Sequence, residues 1–132
     1  MEALLTTKHI TVKNDFVGYH RYANAPEDVA FLRAWHRHHF IVKTSIPVNH
    51  NEREFEFFEL QNKIKGYVED VYTREKEDVN YLPGIWIESC ETFAEDLANY
   101  VKNLTNSTFA EVAVSEDEEC EAVVRVENAI TC

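Results

Sequence analysis

The sequence predicts an α+β domain in which a four-stranded antiparallel sheet is covered on one face by two helices, in the chain order ββααββ. Three observations predict it. Two β-branched and aromatic runs, Ile10 to His20 and His36 to Val48, have strand character. Two central segments repeat apolar residues every three or four positions, the helical period. Near the end, Phe109 to Ser115 and Cys120 to Glu127 alternate or run apolar around an acidic turn, the pattern of a hairpin.

The first two strands are separated by Arg21 to Trp35, where Asn24-Ala25-Pro26-Glu27-Asp28 breaks any regular element, and they can pair antiparallel across that long connection. From Asn51 onward, Phe57, Leu60, Ile64, Val68 and Val71 form the apolar stripe of an amphipathic helix of about four turns. After the charged connection Thr73 to Asp78 and a turn at Leu82-Pro83-Gly84, Thr92-Phe93-Ala94-Glu95 fits a capping box. Ala94, Leu97, Ala98, Val101 and Leu104 then supply the second helix's buried stripe. Glu116-Asp117-Glu118-Glu119 joins the last two strands.

A length of 132 residues, 45% of them hydrophobic, suits one domain spanning 1–132 with a single core. The net charge of −11 repels polyanions and argues against a nucleic-acid partner. No apolar stretch approaches a bilayer-spanning length, and the first residues lack the basic and apolar regions of a secretory signal, so no membrane partner and a cytoplasmic location are expected. Cys90, Cys120 and Cys132 are odd in number and widely spaced, which fits free thiols rather than a disulfide framework or a cysteine metal clamp.

The chemistry concentrates in Trp35-His36-Arg37-His38-His39-Phe40-Ile41-Val42. Successive strand residues face opposite ways, so His36 and His38 share one face, continued by Phe40, Val42, Thr44 and Ile46. Two imidazoles on one face can chelate one metal ion. His20, ending Phe16-Val17-Gly18-Tyr19-His20, is the candidate third ligand, and three neutral imidazoles leave a fourth tetrahedral position open, as in catalytic zinc sites. A histidine-rich polar edge strand has the same spacing, which does not by itself separate the two readings.

The element order and these histidines resemble the 6-pyruvoyltetrahydropterin synthase and 6-carboxytetrahydropterin synthase family, whose members adopt the tunnelling fold. The resemblance runs from about Phe16 to Glu127. Phe16-Val17-Gly18-Tyr19-His20 is similar to the family segment ending in the first zinc ligand, and His36-Arg37-His38-His39-Phe40 to the segment carrying the other two. Phe55 to Leu60, Asp78 to Leu82, Thr92 to Ala98 and Val114-Ser115-Glu116-Asp117 are similar to further family segments in the same order. The resemblance implies Zn2+ on His20, His36 and His38, a pterin or purine-like ligand with Glu116 and Glu95 as ligand-binding residues, and a homo-oligomeric ring with pockets between subunits. An α+β sheet with helices on one face also leaves edges and a face for a second copy to cover.

Two departures bear on activity. Leu32 stands at the family's catalytic cysteine, and Val79 at its general-acid histidine beside Asp78. Neither side chain can transfer a proton. No cysteine lies in the first half of the chain to replace the thiol. The expected function is therefore a zinc-binding, synthase-like protein with a pterin or purine pocket and altered or lost lyase activity. The alternative is an active zinc-dependent lyase in which Asp78 and a replacement base such as Glu27 are catalytic. Two placements stay open on the residues alone. Glu116 fits either a carboxylate accepting paired N–H donors of a ring edge or a solvated turn, and Glu95 either a ligand contact or a helix cap.

Overall fold

The computed structural model describes residues 3–73 and 84–129. Strand β1 (Lys8–His20) and strand β2 (His36–Val48) pair antiparallel along their whole length, from Lys8 opposite Val48 to His20 opposite His36. The connection between them holds a short 3-10 segment, Glu27–Arg33, tied down where the Arg33 Nε donates to the Ala25 carbonyl at 2.8 Å. Helix α1 (Phe57–Tyr72) follows, then a two-residue strand β3 (Ile85–Trp86), helix α2 (Cys90–Thr105), and the hairpin of β4 (Phe109–Glu116) and β5 (Cys120–Glu127).

The sheet order is β3-β1-β2-β4-β5. Among the described residues five strands replace the four expected, and the sheet is mixed, because β3 runs parallel to β1 with Gly18 opposite Ile85. A glycine makes that approach possible. A Cβ on Gly18 would stand 2.5 Å from Ile85 Cγ1 and 2.7 Å from the Ile85 carbonyl oxygen. Two residues are too few for alternation to show in a sequence, which is why β3 escapes a periodicity reading.

Helix α2 packs over β4 and β5, and α1 over β1 and β3. Val12 and Phe16 of β1, Phe40, Val42 and Ile46 of β2, and Ala110, Val112 and Val114 of β4 meet Leu60, Ile64, Val68, Phe93, Leu97 and Val101 from the helices in one buried cluster. Burying each large side chain fully stabilises the fold by about 1.5–3 kcal/mol. The helix-facing residues of β2 continue directly from His36 and His38, so the core lies against the histidines.

Helix α2 begins three residues before the expected box. Ser89 is the N-cap, its Oγ accepting the Thr92 N–H at 3.1 Å, so Glu95 sits exposed inside the helix and caps nothing. The earlier start adds Cys90 and Phe93 to the buried stripe, while Leu104 in the last turn is left 39% exposed. Val71 is likewise exposed, because Tyr72 occupies the contact at the end of α1, its ring edge-on to Phe93 at 4.8 Å.

Candidate metal centre

Antiparallel register and strand alternation together build the site. His20 lies directly across from His36, and His38 follows two residues on, so the three rings share the helix-facing side of the sheet at its end. Their centroids are 4.6 Å (His20 to His36), 4.7 Å (His20 to His38) and 4.7 Å (His36 to His38) apart. One ring nitrogen from each lies within 4.8 Å of the others. All three Nε2 atoms are shut off from solvent and none makes a hydrogen bond. Buried polar atoms are ordinarily satisfied, so three unsatisfied nitrogens facing one point suit a cation.

The opposite side of two rings explains why Nε2 is the free atom. His36 Nδ1 is 2.8 Å from the Ala34 carbonyl oxygen, and His38 Nδ1 is 2.5 Å from Asp117 Oδ2. A carbonyl and a carboxylate only accept, so in the neutral rings Nδ1 carries the proton and Nε2 presents a lone pair. Such outer partners fix the tautomer of metal-ligating histidines. Asp117 is itself held twice more, its Oδ1 accepting the His39 N–H at 2.9 Å and its own N–H donating to the His39 carbonyl at 2.8 Å. These contacts hold Asp117 at a φ of 53°, in the left-handed region. The hydrogen bond to His38, then the one to the His39 backbone, lowers the Asp117 carboxyl below its usual range.

Glu116, paired opposite Phe40 on β2, brings its carboxylate beside His20 and His38. Its Oε1 is 3.3 Å from His20 Nε2 and its Oε2 is 3.7 Å from His38 Nε2. The His20 contact holds this carboxyl below its ordinary range, against an opposing effect of burial. Cys90, the first residue of α2, donates its thiol to Glu116 Oε1 at 3.1 Å. Burial first, and Glu116 second, push the thiol well above its usual range, so it stays protonated near neutrality. A cavity of about 520 Å³ adjoins the site, with His20, His36, Glu116, Cys90, Tyr22 and Leu32 in its wall.

Thus His20, His36, His38 and Glu116 stand together. Glu27 is apart from them, with its side chain 91% exposed and bonded to Arg33 at 3.1 Å, and Glu95 is on the exposed side of α2. Asp78 and Val79 lie outside the described residues. Two residues of the site carried no clear signal in the sequence. Asp117 reads as one more acid in a charged turn. Cys90 lies in the second half of the chain, yet the turn into α2 carries its thiol into the cavity wall, so the expectation that no thiol is available there is corrected. The Ser89-x-x-Thr92 spacing was the only sign that a helix starts at this point.

A mixed sheet, helices on one face and histidines at the paired strand ends define a 6-pyruvoyltetrahydropterin synthase-like fold, and comparison with solved structures supports it. The Caenorhabditis elegans 6-pyruvoyl tetrahydropterin synthase superposes with a TM-score of 0.60 at 12% identity, over 95% of this chain and 98% of that one. The Plasmodium vivax enzyme of the same name gives 0.58 at 14% identity, over 93% and 99%. An uncharacterised protein from Wolinella succinogenes gives 0.62 at 14% identity, over 95% and 100%. No family model and no curated protein sequence matches the chain.

Proposed function

We propose that this chain is a zinc-binding, 6-carboxytetrahydropterin synthase-like protein that takes a pterin or purine-type ligand in the cavity beside the metal, with its lyase chemistry altered or lost. The convergence of three buried, unbonded Nε2 atoms from His20, His36 and His38 carries this reading. When bound there, zinc supplies a Lewis acid and lowers the pKa of bound water towards about 7.

The chain's own groups account for the rest. Glu116 borders both the metal position and the cavity, where a carboxylate can accept paired N–H donors from an amidine-like ring edge. Leu32 contributes an aliphatic wall where the family reaction needs a thiol, and the Cys90 thiol donates to Glu116. Leu32 supplies no base, which favours binding over the ordinary elimination. The same reading takes residues 1–132 as one cytoplasmic domain that assembles with its own copies, since among the described residues no helix or strand layer covers the sheet face away from the helices.

Fluorescence titration of the zinc-loaded protein with pterins and purine nucleotides tests the reading. Saturable binding that disappears in the His36→Ala variant, without turnover of the bound compound, is the expected result. Loaded protein that binds no member of either class contradicts it.

A further inference from the structure

The charges around the cavity beside the histidines narrow the class of ligand it takes. Among the described residues its wall carries three carboxylates, Glu88, Glu91 and Glu116, against one guanidinium, Arg21. Glu116 lies inside, against His20 and the buried Cys90, whereas Glu88 and Glu91 are exposed and so stand at the mouth. A metal ion on the histidines adds positive charge at the inner end only.

Two features near the mouth have the chemistry to hold an anion, and both are already engaged. Arg21 Nε is 3.7 Å from Glu88 Oε2, and the guanidinium carbon stands 4.7 Å over the Trp35 ring. Helix α2 opens at the same wall, and a helix N-terminus ordinarily favours negative charge. Here the Thr92 N–H goes to Ser89 Oγ at 3.1 Å and the Phe93 N–H to the Ser89 carbonyl at 3.1 Å, while Glu91 in the first turn supplies a carboxylate of its own. Ionised carboxylates only accept hydrogen bonds, so Glu88 and Glu91 take hydroxyl or N–H donors and repel a phosphate. Dinucleotide sites discriminate in the same way, where an acidic residue beside the ribose takes the free hydroxyl and an arginine takes its phosphate ester.

We propose that the cavity selects a ligand whose side arm is hydroxylated and unphosphorylated, a nucleoside or a polyol-bearing pterin rather than its phosphate ester, with Glu88 and Glu91 as the discriminating residues. The proposal rests on the pterin or purine reading above and adds the orientation of the ligand. The ring goes inward to Glu116, and the arm lies at the mouth, where its hydroxyls donate to the two carboxylates. An ester in the same place brings its negative charge against both of them, with the nearby guanidinium already held by Glu88 and Trp35.

Calorimetric titration of the zinc-loaded protein tests this with two matched pairs of probes: guanosine against guanosine 5′-monophosphate, and a trihydroxypropyl pterin against its phosphate ester. In the wild type the free alcohol of a pair should bind at least about 10-fold more tightly than its ester at low ionic strength, and added salt should narrow the gap. The double variant Glu88→Gln, Glu91→Gln should narrow it at low salt as well, by strengthening the ester. An ester that binds the wild type as tightly as its alcohol, or more tightly, leaves the pterin or purine reading standing and overturns the proposal. A gap that the double variant leaves unchanged overturns the assignment to Glu88 and Glu91. Folded, zinc-loaded wild type that binds neither member of either pair overturns the ligand reading itself, and this inference with it. The wild-type comparison stands by itself should the variant fail to fold.

Discussion

His38 and Asp117 stand 79 residues apart in the chain and share a 2.5 Å hydrogen bond from Nδ1 to Oδ2. That contact decides which nitrogen of His38 is free, because the second carboxylate oxygen is already engaged by the His39 N–H at 2.9 Å. An asparagine here has one acceptor oxygen for two donors. If its oxygen stays on the His39 N–H, its amide N–H faces His38 Nδ1 and selects the tautomer with the proton on Nε2. Asp117→Asn should therefore lower metal affinity about 10–100-fold while keeping the fold, as measured by chelator competition and circular dichroism. Unchanged affinity would mean that the contact does not set the tautomer.

The same carboxylate makes stability depend on pH. Asp117 and Glu116 both have folded-state values below the ordinary carboxylate range. Their contribution is fully present above the unfolded values near about 4 and is lost as pH falls through the lower folded values. Metal-free wild type should lose stability more steeply below about pH 4 than Asp117→Asn, which lacks the Asp117 contribution, as read from the urea midpoints. Parallel curves for the two proteins would contradict the linkage.

Gly18 holds the fifth strand. A methyl group at this position meets Ile85 Cγ1 at 2.5 Å, the Ile85 carbonyl oxygen at 2.7 Å and Phe40 Cε2 at 3.1 Å. Gly18→Ala should cost about 1–3 kcal/mol in chemical denaturation and speed amide exchange at Ile85 and Trp86. No change in either would mean that β3 does not need this close approach.

Between the helices, Asp96 accepts the Tyr67 hydroxyl at 2.9 Å and the Tyr72 hydroxyl at 2.5 Å. Burial, and next the bond to Asp96, push the Tyr67 phenol up to about 12. Asp96→Ala should cost about 1–3 kcal/mol by leaving two half-buried hydroxyls without their acceptor. It should also move Tyr67 ionisation down from about 12 in an ultraviolet titration. An unmoved titration would separate Asp96 from the shift.

The histidine triad was legible in the sequence because both of its determinants are local. Alternation puts His36 and His38 on one face, and the unbroken pairing of β1 with β2 brings His20 opposite His36. The hairpin and α1 follow from equally local periodicities. What escaped depends on contacts across the fold. The strand β3 owes its place to an absent Cβ on Gly18 rather than to any pattern of its own. The role of Asp117 depends on the Phe40 to Glu116 register, which carries the turn back onto His38 and His39. Cys90 reaches Glu116 only because Ser89, not Thr92, caps α2.

Metal content measured by elemental mass spectrometry, on protein purified without chelator and on its His36→Ala variant, decides whether the three histidines hold zinc. About one zinc ion per chain in the wild type and a near-total loss in the folded variant is the predicted result. Wild type that carries no metal and takes none up on addition of zinc would contradict it, leaving the histidines as a structural feature of the fold alone.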